Sequence, residues 1–189
     1  MRYEPPPQIQ EFNWIWTKWI YGLWEKFIKP YPLLSGETGV VNYEYPVGNV
    51  LRYGTNTTPG TTDMATAFQS AVDSSDTVYI PNGTYLIGTT IRESTNGGGK
   101  RIYGENRIHT IVKASSALAA AGDPIFWFGN SNGHGNYRLW FDQIRLDGGD
   151  SAGNGAAGSI GVRAHECGTS FVGNLYAQGC LRVIDAIGC

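Results

Sequence analysis

The chain has 189 residues, enough for one domain with a sizeable core or for a small domain plus an attached segment. A formal net charge of -2, with no run of Lys or Arg, leaves no electrostatic footprint for nucleic acid. The 26 glycines and only 16% charged residues argue against a helical bundle and for a chain that turns often and buries its backbone in sheet.

In chain order, three textures follow one another: an aromatic N-terminal segment (1–32), a linker (33–48) and a glycine-punctuated region of short β-prone runs (49–189). Met1 is followed by Arg2, Tyr3, Glu4 and three prolines, which is not the pattern of a secretory leader, so synthesis in a reducing cytoplasm is expected. Pro5, Pro6 and Pro7 form a stiff lead-in, and Pro30 and Pro32 stop what lies between. That bracket predicts one separate amphipathic helix of about five turns.

Phe12, Trp16, Trp19, Ile20, Leu23 and Phe27 recur at three- and four-residue steps on this helix, and Trp14 and Trp24 widen the apolar face. Lys18, Glu25 and Lys26 interrupt the stretch too often for a membrane span. So much exposed aromatic surface needs a cover. Packing back onto the chain's own domain and lying on a membrane surface are two options. Association through Phe12, Trp14, Trp16, Trp19, Ile20, Leu23, Trp24 and Phe27, with identical chains or another protein, fits the tryptophan density and the proline bracket better.

From Asn49 the pattern becomes β-like. Asn49 to Gly54 reads as an entering strand ending in a turn, and Thr55 to Gly60 as a polar loop. Thr62 or Asp63 then caps a short helix over residues 63–73, whose Met64, Phe68, Ala71 and Val72 share one face. The strand Thr77 to Ile80 runs into the Pro81-Asn-Gly-Thr-Tyr turn, and a second strand covers residues 84–91. A helix placed directly before the first coil of a solenoid would cover its open end.

Further strands are predicted at 101–103, 110–113, 125–128 and 137–146, and the Asn96 to Arg101 segment reads as a hairpin-like turn, not a phosphate loop. Near the C-terminus, strand-like segments starting at Ile160 and Val183 lie about 23 residues apart, the length of one coil of three short strands. No polar capping segment follows the last of them, so the β-helix is expected to continue beyond Cys189.

The matches Tyr53-Gly54, Asp63-x-Ala65-x-Ala67-Phe68-Gln69-x-Ala71 and Val78-Tyr79-Ile80-Pro81-x-Gly83-x-Tyr85 resemble the start of the pectate-lyase-like domains of phage tail spikes and polysaccharide-degrading β-helix enzymes. Arg52 stands where an aspartate is common in such starts, and the loop after Gly54 lacks the usual second aspartate. The resemblance implies a mainly β fold, a right-handed parallel β-helix with a short N-terminal capping helix, preceded here by the aromatic helix. It gives Asp63, Gln69, Pro81, Gly83 and Tyr85 structural roles.

Chemistry is sparse. Glycan cleavage needs paired carboxylates, or a base with charge neutralisation of a uronate. The candidates are Asp142, Asp147, Asp150, Glu166 and Asp185; Asp142 and Asp147, if on one strand, point to opposite faces, Asp147-Gly-Gly-Asp150 reads first as a turn, and Glu166 could share a surface with Asp185 one coil further on. His109, His134 and His165 lack ligand spacing, and Cys167, Cys180 and Cys189 read as buried free thiols, so no metal or cofactor is expected. The resemblance implies a structural and adhesive virion protein, assembled in the host cytoplasm. It would be homotrimeric, bound to other tail proteins through the aromatic helix and to host surface polysaccharide through distal regions. The alternative is a polysaccharide depolymerase, lyase or glycoside hydrolase, on the same fold; a secreted pectinase is weakened by the missing leader.

Overall fold

A computed structural model describes residues 31–93, 99–129, 138–150, 158–165, 168 and 170–187. The predicted aromatic helix, with its association residues Phe12 to Phe27, lies outside the described residues, as do His134, Glu166, Cys167 and Cys189. The elements run α1 (Val50–Tyr53), α2 (Ala65–Ser74), β1 (Thr77–Ile80), β2 (Gly83–Ile87), β3 (Ile91–Glu93), β4 (Gly99–Gly104) and β5 (Thr110–Ala114). After these come α3 (Ser116–Ala121), β6 (Pro124–Phe128), β7 (Arg138–Asp142), β8 (Arg145–Asp147), β9 (Ile160–His165), β10 (Phe171–Gly173), β11 (Tyr176–Gln178) and β12 (Arg182–Ile187).

Every third strand stacks on the last. The first sheet has the order β1-β4-β7-β10, the second β2-β5-β8-β11 and the third β3-β6-β9-β12, with every pairing parallel. This is the arrangement of a parallel β-helix, four coils of three strands, as expected from the sequence. The registers align apolar side chains into internal columns: Val78, Ile102, Phe141 and Val172 on the first sheet, and Tyr85, Val112, Leu146 and Ala177 on the second. Ile91, Phe126, Val162 and Ile184 form the third column. Phe126 meets Phe141 at 5.1 Å and Phe128 at 5.9 Å between ring centroids, which ties the columns together at the centre.

Several local expectations change. Residues 84–91 and 137–146 are each two strands, not one. Gln143, at φ 59°, turns the second run through a coil corner, so Asp142 ends β7 and Asp147 ends β8 on different sheets. The first half of the hairpin-like turn expected at Asn96 to Arg101 lies outside the described residues; β3 before it pairs β6, and β4 after it pairs β1 and β7. Asn49 begins a helical turn instead of a strand: its Oδ1 accepts the Leu51 N–H at 2.9 Å, the bond of an N-cap. The unforeseen α3 has its own signals, with Ser115 Oγ accepting the Leu118 N–H and Gly122 closing the end at φ 69°.

The first coil has no coil before it, and the preceding segment bonds to all three of its strand edges. On β1, Tyr79 N–H donates to Gly48 O at 2.9 Å. On β2, Thr84 O accepts from Gly60 N–H and Asn56 Nδ2, and Leu86 O accepts from Met64 N–H. Beyond β2, Asp63 Oδ1 accepts both the Ala65 N–H that opens α2 and the Gly88 N–H, so Asp63 serves helix and coil together. A Cβ on Gly88 would overlap that carboxylate. On β3, the Gln69 amide bonds both backbone groups of Arg92, accepting its N–H at 2.9 Å and donating to its O at 2.7 Å.

Helix α2 buries Ala65, Ala67, Phe68, Ala71 and Val72, with Phe68 5.5 Å from Tyr85 and 6.3 Å from Phe126. From the second coil, Lys100 reaches inward to the end of the helix. Its Nζ donates to Val72 O, Ser75 O and Asp76 Oδ1 and faces Glu93, neutralising the negative C-terminal end of the helix.

Arg52 is fully buried and uses all five of its N–H donors. Nε and Nη2 grip the two oxygens of Glu37, Nη1 donates to Tyr31 O and Tyr45 O, and Nη2 also donates to Pro32 O. Glu37 is equally complete, taking further bonds from Tyr53 Oη and Leu34 N–H.

Two outcomes are expected. Phe68→Ala should cost about 3–5 kcal/mol in urea unfolding, the range for deleting a large buried ring; a loss below about 1 kcal/mol would mean that α2 is not part of the core. The second concerns acid. The Arg52 hydrogen bonds outweigh burial and hold the Glu37 carboxyl down at about 2, against its ordinary 4.5. Because the folded value is the depressed one, this stabilisation is complete above about 4.5 and fades as pH falls towards 2. Glu37→Gln should flatten the pH dependence of the urea midpoint in that window; an unaltered slope there would contradict the assignment.

Candidate functional site

Outward positions of the first sheet carry aromatic and basic side chains in register. Thr77, Arg101, Trp140 and Phe171 form one row, and Tyr79, Tyr103 and Asp142 the next. Trp140 and Phe171 are 42% and 43% exposed, with ring centroids 4.3 Å apart. The Arg101 guanidinium lies 5.6 Å from the Trp140 ring and 5.0 Å from the Tyr103 ring, and Tyr79 packs 5.2 Å from Tyr103. These rows border an open groove of about 500 Å³, lined by Arg101, Arg138, Leu139, Trp140, Phe171 and the inward Lys100 among others. That volume lies within the ~300–1,000 Å³ range of small-ligand sites.

The other two faces hold closed ladders. On the third sheet, Arg92 and Arg163 lie 4.2 and 5.2 Å from the Trp127 ring, and Arg163 Nε bonds Asp185 Oδ2 at 2.9 Å. On the second, Arg145 packs 5.1 Å from the Tyr176 ring and donates to Gln178. Tyr176 on the second sheet is itself 51% exposed, but the first sheet sets two half-exposed rings, Trp140 and Phe171, against each other on neighbouring coils. Sequence reasoning missed it because Arg101, Trp140 and Phe171 come from three coils; the outward Trp140 in the alternating Arg138-Leu-Trp-Phe-Asp run was the available signal.

Among the described residues, the candidates Asp142, Asp147 and Asp185 each have other partners. Asp142 Oδ1 accepts the following Gln143 N–H, and Asp147 accepts from Gly149 N–H, the turn predicted for it, and from Gln178. Asp185 is held by Arg163 and Arg182; burial raises its pKa, but the bonds from the two arginines outweigh that and keep the carboxyl below its ordinary range. The Glu166–Asp185 pairing falls outside the described residues. His165 stacks on Trp127 at 5.7 Å, and Cys180 is a half-buried free thiol whose pKa burial pushes up to about 11. Among the described residues no cluster of three His, Cys, Asp or Glu side chains forms, and no helix is long and apolar enough to cross a membrane.

Residues 47–145, from the segment before α1 through the start of β8, match the family model described as rhamnogalacturonase A/epimerase, pectate lyase-like. The chain belongs to this family. Among curated proteins it is similar to the preneck appendage protein of Bacillus phage PZA and the pre-neck appendage protein of Bacillus phage phi29. Each is 27% identical over 135 residues, which cover 69% of this chain and 14% of the relative. The chain therefore spans about one seventh of the length of these relatives. Among solved structures, ORF18 of Geobacillus virus E2 superposes with a TM-score of 0.52 at 23% identity, covering 70% of this chain and 26% of that one. This last likeness shows the shared fold of this pectate lyase-like β-helix.

Proposed function

We propose that this chain is the N-terminal part of a phage tail appendage, a structural and adhesive virion component built on a right-handed, capped, pectate lyase-like β-helix. The observation that carries the reading is the likeness of both curated relatives, phage pre-neck appendage proteins, over most of this chain. Helix α2 is read as the cap because the segment around it bonds to every strand edge of the first coil. At the other end, β10, β11 and β12 each pair on one side only among the described residues, which supports a further coil stacking there.

Residues 1–32 are assigned to attachment, joining identical chains in a trimer and docking them to other tail proteins. The support is the set of aromatic anchors Phe12, Trp14, Trp16, Trp19, Ile20, Leu23, Trp24 and Phe27. The β-helix is assigned to host surface glycan. Distal regions remain the main candidates, and the Trp140–Phe171 groove adds one on these coils, since aromatic faces accept the polarised C–H bonds of a sugar ring. The family description favours a second reading, a polysaccharide depolymerase. It needs a carboxylate arrangement that Asp142, Asp147 and Asp185 do not form among the described residues, and its site is assigned to regions further along a longer protein.

Two experiments test these assignments. Deleting residues 1–30, which leaves the Tyr31 and Pro32 carbonyls on Arg52, should abolish co-sedimentation with tail proteins and leave the β circular dichroism unchanged; a lost β signal would place the helix in the core instead. In the second, Trp140→Ala should weaken binding of purified host-cell polysaccharide at least tenfold, about 1.4 kcal/mol, by calorimetry. Unchanged affinity would remove the groove from the glycan surface.

A further inference from the structure

The residue that departs from the family pattern, Arg52, has a role that the fold itself does not require. It sits on α1, directly before the β-helix, yet among the described residues its side chain bonds to the segment before α1 and not to a coil. Every donor goes to residues 31–45: two to Glu37 and one each to the carbonyls of Tyr31, Pro32 and Tyr45. Its own carbonyl accepts from Val41 N–H at 2.9 Å and Asn42 N–H at 3.0 Å, and the Tyr43 ring lies 5.5 Å from the guanidinium. Tyr53, also on α1, adds its hydroxyl to Glu37 and accepts from Gly48 N–H.

We infer that Arg52 clamps residues 31–46 into a rigid collar on the first coil, so that the N-terminal segment leaves the β-helix at a fixed point instead of on a free tether. Flexible tethers are polar and bond to water, whereas this segment gives three backbone carbonyls to one buried cation. The anchored carbonyls of Tyr31 and Pro32 lie where the aromatic segment joins, so the fixed point sits at the joint itself. Lysine cannot replace the device, because an ammonium has three donors and no planar fork to match a carboxylate. Arg52 is thus a positioning residue. Its value for attachment rests on the assignment of residues 1–32 proposed above; the collar does not.

The test is amide hydrogen exchange on the full chain across low urea concentrations. In the unsubstituted protein the amides of Val41, Asn42 and Leu34 should open in the same cooperative step as those of Tyr79 and Arg101 at the first coils. Exchange of these three at the rates of unstructured peptide would overturn the inference. In Arg52→Met they should exchange at least about 100-fold faster while β5 to β9 keep their protection, with Arg52→Lys in between. Unchanged protection in Arg52→Met would also overturn it. Should Arg52→Met fail to fold, Glu37→Gln gives the same comparison with the shape of the pair retained.

A positional readout separates clamping from general stabilisation. Spin labels at Leu33→Cys and Thr66→Cys, with the native cysteines replaced by serine, should give one narrow distance distribution that broadens in Arg52→Lys under conditions where the β-helix is fully folded. A broad distribution in the unsubstituted collar would refute a fixed exit point. All of these readouts are made without a partner, so failure of the attachment assignment would show only in the deletion of residues 1–30, which leaves the collar intact.

Discussion

A strand on the edge of a parallel sheet carries a row of unpaired N–H and C=O groups, and a β-helix has such an edge on each of its faces at each end. Within the stack the problem solves itself, since each coil pairs with the next. At the first coil three different chemistries take over: backbone at Gly48 for β1, loop amides and the Asp63 carboxylate for β2, and one side-chain amide, Gln69, for β3. Gln69 acts there as a substitute strand residue, offering a donor and an acceptor at the spacing of a peptide unit. The apolar part of the same closure is Phe68, set against Tyr85 and Phe126 above the internal columns.

With its edges bonded, the first coil is a fixed base for the columns that follow, and outward side chains are then held in register along each face. On the third sheet that register places Trp127 between two arginines and hands Asp185 to Arg163. On the first sheet it leaves Trp140 and Phe171 open. The first-coil end also carries the Arg52–Glu37 pair, a buried ion pair in which every donor and acceptor is matched. Such a pair is specific about geometry even where it contributes modest net stability.

Much of this was legible in the residues. The helix face of Met64, Phe68, Ala71 and Val72, the turn at Pro81 and Gly83, and the strands around them follow from periodicity and turn chemistry, and all four helix residues are buried. The four coils were harder to see. Register partners step from Thr77 to Arg101, then to Trp140, then to Phe171, and these unequal intervals hide the repeat. Corners were missed for a related reason: Gln143 adopts a left-handed conformation that nothing in its residue type announces, so β7 and β8 read as one strand. Arg52 was visible as a departure, but its partners lie up to 21 residues away and no local pattern points to them. The groove is built from side chains of separate coils, and its one local signature is the outward Trp140 of β7.

The closure is most directly tested at the three amides that no neighbouring coil serves. Tyr79, Gly88 and Arg92 donate to Gly48 O, Asp63 Oδ1 and Gln69 Oε1, respectively. If the preceding segment closes the first coil, hydrogen exchange of these amides in the native protein should be slowed to the level of amides between interior coils, such as Arg101 in β4. Exchange at the rate of an exposed strand edge, with the interior amides still protected, would show that the first coil is open and would contradict the account.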